Sequence, residues 1–198
     1  MNPEILISLG IFSVVTSVTP GPDNLMLLAS GVNFGLARTL PHSLGISFGF
    51  FLLLLAVGAG IGGLLTAWPT LHVALTGISA VCLFYLAYRL ALSRSIGNEE
   101  ARSRPLTFTE AAFFQWVNPK AWVMALSGMA LYTDKASPFL SMLVVAALFS
   151  LLNWPCVALW ATFGTMLRRL LAHAARLRWF NLLMAALMAM SVIPIVIG

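Results

Sequence analysis

The chain has 198 residues, of which 60% are apolar and only 9% charged; its mean hydropathy is strongly positive, beyond what a soluble core of that length buries. It reads as an integral membrane protein, and its net charge of +5 reports membrane topology rather than a nucleic-acid partner. The apolar stretches are continuous, without the alternation of a lipid-embedded barrel, so an all-α fold is expected.

A helix needs roughly 20 apolar residues to cross a bilayer, and six stretches qualify: Ile5–Phe34, Leu44–Ala67, Leu71–Leu92, Thr107–Tyr132, Phe139–Met166 and Trp179–Ile197. The first would make a helix of about 45 Å, against a hydrocarbon core of about 30 Å. It is interrupted by Thr19-Pro20-Gly21-Pro22-Asp23-Asn24. Pro20 and Pro22 lack donor N–H groups and Gly21 is conformationally permissive, so the helix is expected to unwind and restart. Pro22 suits the first position of the new helix, and Asp23 its positive end. The stretch has no basic leader and no small-residue cleavage pattern, and reads as retained rather than as a signal peptide.

In the second stretch Gly45 and Gly49, and Gly58 and Gly62, are spaced for close helix approach, within one chain or across a homo-oligomer. Ser30-Gly31 and Ser127-Gly128 suit the same purpose. Trp68, Tyr85, Tyr88 and Trp179 read as interfacial anchors. A polar segment from Ser93 to Pro105 separates three stretches from three.

The fourth stretch opens on Thr107-Phe108-Thr109-Glu110, a capping box that makes Glu110 a helix-end residue. It is broken in turn by Gln115-Trp116-Val117-Asn118-Pro119-Lys120-Ala121, where Asn118 suits an N-cap and Pro119 the first helical position. In the fifth, Asn153-Trp154-Pro155 reads as a further interruption: Pro155 is expected to kink the helix, and Asn153 to bond between helices or line a cavity. Cys82 and Cys156 fall within apolar stretches and form no disulfide framework. His42, His72 and His173 are scattered without metal-ligand spacing, and read as loop or interface residues. No metal or cofactor is expected.

Basic residues orient the bundle. Arg38 lies in the first connection, Arg89, Arg94, Arg102 and Arg104 at the third, and Arg168, Arg169, Arg176 and Arg178 at the fifth, whereas the second has none and the fourth only Lys135. Odd connections then lie in the cytoplasm and both termini outside. A shift of 97 positions lays Pro22 on Pro119, Ser30 on Ser127, Gly31 on Gly128, Pro41 on Pro138, Arg38 on Lys135 and Asp23 on Lys120. Three crossings per half give the halves opposite orientation. The expectation is a single membrane domain: a repeat over 1–92, a cytoplasmic loop over 93–106 and an inverted repeat over 107–198, with the first and fourth helices broken. Inverted repeats with broken helices recur in secondary transporters, which bind substrate at the midplane where the repeats meet.

A charge at the bilayer centre costs around 2.5–3.5 kcal/mol on insertion scales, and such residues usually pair, line a cavity or act. Asp23 can be explained by the helix dipole; Lys120, beside the positive end of its helix, cannot. One reading is an Asp23–Lys120 ion pair that locks the halves together. The other is a substrate site: Lys120 and the helix N-termini take the carboxylate of a zwitterionic amino acid, and Asp23 its ammonium. The two residues could then pair with each other in the resting state. Asp23 is also the candidate proton carrier. Asn24, Gln115 and Asn118 either join the site or satisfy unwound backbone. Trp116 and Trp122 flank the second break as candidates to stack on or gate a substrate, and Trp116 is a candidate cavity residue.

With these two motifs, Thr19-Pro20-Gly21-Pro22-Asp23-Asn24 and Phe114-Gln115-Trp116-Val117-Asn118-Pro119-Lys120-Ala121, the chain resembles the lysine exporter (LysE) superfamily, and within it the homoserine/threonine efflux branch. The likeness extends over the whole length. It implies a multi-pass exporter of the bacterial cytoplasmic membrane that moves amino acids or close derivatives outward, coupled to protons. An intramembrane enzyme would need a nucleophile with its base, paired carboxylates or metal ligands, and no such set is recognisable in the stretches; a structural subunit would not need two costly charges.

Overall fold

A computed structural model describes residues 2–92, 104–134, 136–191 and 193. Lys135, Arg94, Arg102, most of the polar segment after Leu92 and the end of the sixth expected stretch lie outside the described residues. What is described is helical, with no strand among those residues: α1 (Pro3–Val18), α2 (Pro22–Phe34), α3 (Leu36–Ala56), α4 (Gly62–Ala67), α5 (Pro69–Ala91), α6 (Phe108–Phe114), α7 (Pro119–Tyr132), α8 (Pro138–Leu167) and α9 (Ala174–Met190).

Three stretches are long and apolar enough to cross a membrane as they stand: Leu36–Ile61, Val73–Ala91 and Pro138–Leu167. α1 and α2 make a fourth together, bent by 58° at the break. Many large apolar side chains face outward, among them Ile7, Ile11 and Val15 on α1, Val81 and Phe84 on α5, and Leu151 and Phe163 on α8. An apolar exterior of this extent would be a liability in water and is the natural one in lipid.

The first break falls where the sequence places it. α1 ends at Val18, and α2 starts on Pro22 with Gly21 as its N-cap. The second break takes another form: α6 passes into a single 3₁₀ turn, Gln115–Val117, and α7 restarts at Pro119 after the extended Asn118. Two expectations need correction. The second apolar helix starts at Leu36 rather than Leu44, because Gly35, at φ +82°, turns the corner directly out of α2; Pro41 and His42 therefore lie inside a helix. That helix is deformed further on by a π turn, Val57–Ile61, with Gly60 at φ +105°, a left-handed conformation that glycine adopts readily. In the fifth, α8 runs unbroken through Asn153, Trp154 and Pro155. Pro155 faces outward, and a proline removes only one bond of a long helical ladder.

The core has two main parts. Leu9, Phe50, Leu53, Leu54, Ala125, Val145 and Phe149 pack at the centre, where the Phe149 ring meets Phe12 and Phe50 edge-on at 5.7 and 5.0 Å. Leu25, Leu83, Phe114, Met184 and Met188 join α2, α5, α6 and α9. Glycines set the closest crossings. A Cβ at Gly31 would strike the Ala161 carbonyl, and one at Gly164 the Leu28 carbonyl, so α2 and α8 touch backbone to backbone. Gly45 and Gly49 bring α3 against Phe108 and Ala112 of α6 in the same way, as their spacing predicts. The α2–α8 and α3–α6 crossings hold the two breaks face to face.

Candidate functional site

Both breaks expose backbone groups that a continuous helix would pair internally, and side chains from the opposite break and from nearby helices meet them. Asn118 caps α7 with Oδ1, which accepts from the Lys120 N–H at 3.1 Å. Its Nδ2 donates to Asp23 Oδ2 at 2.6 Å. Gln115 Nε2 donates to the other carboxylate oxygen at 3.1 Å. The carboxylate of the first break is thus held by two amides of the second. In the opposite direction, Lys120 Nζ donates to the Thr19 carbonyl at 2.5 Å, so the ammonium of the second break satisfies backbone released by the first.

Asp23 and Lys120 therefore share one site without the direct ion pair weighed above; among the described residues, the ion pair recorded joins Arg104 to Glu110. The reason is local. Asp23 finds two neutral donors beside it, and Lys120 finds a carbonyl at the C-terminal end of α1, where a cation is favoured. Its stem lies across Gly21: a Cβ there would be 2.6 Å from Lys120 Cδ. Gly21 has φ −172°, an ordinary extended conformation, so space rather than backbone strain makes glycine useful at that position.

The remaining residues divide by role. Asn24 is buried and its Nδ2 donates to the carbonyls of Ser17 and Thr19 at 2.9 and 2.7 Å, which makes it a support for unwound backbone; its Oδ1 is buried without a partner. Pro20, Gly21, Pro22 and Pro119 shape the breaks. Asn153 bridges three helices: Nδ2 donates to Ser17 Oγ and Oδ1 accepts from Ser47 Oγ, both at 3.0 Å. It also lines the small cavity beside Asp23 and Lys120, whose wall includes Ser17, Gln115 and Met124. Trp116 is half-buried against the central core, and its carbonyl accepts from Trp122 Nε1 at 2.8 Å; it does not line that cavity.

The cavity measures about 20 Å³, room for one water. It is too small for an amino acid.

Glu110 closes the capping box with Thr107 and is gripped by Arg104 through two bonds of 2.6 Å, a helix-end role as expected. Sequence reasoning passed over Ser17 and Ser47. Ser13 and Ser17 carry a readable signal, a polar pair four residues apart on an otherwise apolar helix. Ser47 carries none. His42 was expected in a loop or interface, but is 2% exposed inside α3 with neither ring nitrogen partnered.

The sequence model of the LysE type translocator family matches residues 14–195. Among curated proteins, the cysteine/O-acetylserine efflux proteins of Salmonella typhimurium and Escherichia coli are each 24% identical to this chain over 189 residues, which is 95% of it and 95% of them. No solved structure matches the chain.

Proposed function

The chain belongs to the LysE type translocator family, a family of amino-acid efflux transporters and not of enzymes, and on that premise we propose a proton-coupled exporter that binds a small zwitterionic amino acid between its two helix breaks. The observation that carries this reading is the reciprocal hold across the breaks: Asp23 by Gln115 and Asn118, and Thr19 by Lys120. Each charged group is held by neutral partners that a substrate can replace. Lys120 exchanges the Thr19 carbonyl for the substrate carboxylate, a stronger charge-assisted partner, while Asp23 exchanges its amides for the ammonium. A substrate that favours the parted state in this way shifts the population toward it.

Proton coupling falls to Asp23, the carboxylate held at the breaks: a proton and the substrate ammonium compete for it, so loading one releases the other. Outward export then runs against inward proton movement across the bacterial cytoplasmic membrane, with both termini outside.

We read the architecture as six crossings in two inverted repeats, 1–92 and 107–198, joined by the loop over 93–106. Helix packing supports it, because contacts come in corresponding pairs: α1 on α8 matches α6 on α3, α2 on α8 matches α7 on α3, and α2 on α3 matches α7 on α8. The names of the relatives make O-acetylserine and cysteine the first solutes to try. The test is counterflow in proteoliposomes against a panel of labelled amino acids and O-acetylserine. At least one small zwitterion should exchange; no exchange of any of them by folded protein contradicts the reading.

A further inference from the structure

Arginines gather at one end of the bundle. Gly35 turns the corner between α2 and α3 at φ +82°, and Arg168, which ends α8, lies against it: a Cβ at Gly35 would be 3.1 Å from Arg168 Nη1. Arg38 stands on the first turn of α3, its guanidinium 5.5 Å from the centre of the Phe34 ring, a contact that leaves its N–H donors for an anion. Arg169 follows Arg168 and is exposed. Arg176 and Arg178 lie in the first turns of α9, where Arg176 donates to the Leu170 carbonyl at 3.0 Å.

The carboxylates among the described residues are elsewhere. Asp23 is held at the breaks by Gln115 and Asn118, and Glu110 is gripped by Arg104. The Asp134 N–H donates to Ser141 at the start of α8, about 45 Å of helix away from Arg168. Glu4 opens α1, and Ser8, one turn on, meets Tyr132 at 3.2 Å, which sets Glu4 at the Asp134 end. Arg38, Arg168 and Arg169 therefore have no carboxylate partner among the described residues. Retention of a connection in the cytoplasm needs only charge; it does not need a guanidinium lodged on a glycine at a helix corner.

The surface leading away from this corner is apolar. Leu40, Leu44 and Phe48, spaced four apart along α3, are exposed, as are Phe163 and Met166 on α8. A fixed basic corner at the head of an apolar surface matches an amphiphile with an anionic head rather than a free anion, and the planar guanidinium suits a phosphate in particular.

We propose that the α2–α3 corner and the end of α8 form a binding site for an anionic phospholipid, with Arg38, Arg168 and Arg169 around its phosphate and its acyl chains along α3 and α8. On the topology read above, this is the cytoplasmic leaflet. Gly31 lies four residues before Gly35, and Gly164 four before Arg168, so a headgroup shared by the corner and the end of α8 ties together the close crossing of α2 and α8. The site makes no demand on the identity of the transported solute.

The test is native mass spectrometry of the full chain in detergent, titrated with dioleoylphosphatidylglycerol and, separately, with dioleoylphosphatidylcholine, beside thermal midpoints of the same samples. Phosphatidylglycerol should bind about tenfold or more tightly than phosphatidylcholine and should raise the midpoint. Arg38→Gln with Arg168→Gln should weaken its binding about twentyfold, at about fivefold for each arginine. Arg176→Gln with Arg178→Gln removes the same charge from α9 and should weaken it less than about threefold. Arg168→Lys keeps the charge but not the planar fork; it should retain most of the binding, and it controls for folding. Equal weakening by the two glutamine pairs reduces the corner to general surface charge and overturns the site. Phosphatidylcholine bound as tightly as phosphatidylglycerol overturns it too, as does an equal rise of the midpoint with inorganic phosphate, which would make the occupant a free anion.

Discussion

Lys120 reaches across the interface of the two helix breaks and donates to the carbonyl of Thr19 at 2.5 Å, with its stem lying over Gly21. The contact ties the residue least compatible with its own helix terminus to backbone that another helix has released. A methyl group at Gly21 occupies the space of the stem, at 2.6 Å from Cδ, without straining the extended backbone. Gly21→Ala should therefore leave folding intact, judged by size-exclusion profile and thermal midpoint, and lower counterflow about tenfold or more by displacing Lys120. Normal counterflow would mean that the position of Lys120 does not matter.

Asp23 accepts from Gln115 and Asn118 and is assigned the proton. Asp23→Asn keeps the volume and removes the titrating group. Solute exchange should persist at a reduced rate, and the component of efflux driven by an imposed pH gradient should be lost. Proteoliposomes measured with and without the gradient separate the two. An unchanged gradient-driven component would take Asp23 out of coupling.

Gly31 and Gly164 face backbone carbonyls of the opposing helix, and backbone cannot swing aside as a side chain can. Gly31→Ala and Gly164→Ala should each destabilise the α2–α8 crossing by about 1–3 kcal/mol, the usual cost of overpacking. Thermal unfolding in detergent reads this out. Gly77→Ala is the control: nothing lies within 4 Å of its Cβ, and alanine suits a helix better by about 1 kcal/mol.

Asn153 links Ser17 of α1 to Ser47 of α3. Asn153→Leu should cost about 1 kcal/mol, typical of interhelical bonds in membranes, and should lower counterflow moderately because Ser17 precedes the first break. A variant as stable and as active as the parent would show that the network is idle.

The membrane class and the two breaks were legible because they rest on local rules. Twenty apolar residues span a bilayer, proline restarts a helix, and Asn118 and Thr107 announce their caps. Mid-span charge singled out Asp23 and Lys120 for the same reason. The partners chosen by those charges were not legible. Whether Lys120 meets a carboxylate or a carbonyl depends on how α1 ends beside α7, and a sequence offset of 97 gives the correspondence of residues but not their distance. His42 was expected in a loop or interface because the apolar stretch begins at Leu44, whereas in the fold the corner is made at Gly35 and the helix already includes Pro41 and His42. The interruption expected at Asn153-Trp154-Pro155 does not occur: a proline signals a lost bond, and the rest of α8 holds the helix together.

The central claim is that Lys120 holds the substrate carboxylate, and counterflow of labelled solute by Lys120→Met in proteoliposomes tests it most directly, beside Lys120→Arg and Asp23→Asn. The prediction is that Lys120→Met retains the folded state but loses counterflow by about tenfold or more, with Lys120→Arg partly active because it keeps the charge. Full counterflow by Lys120→Met and Asp23→Asn alike would contradict a substrate site at the breaks.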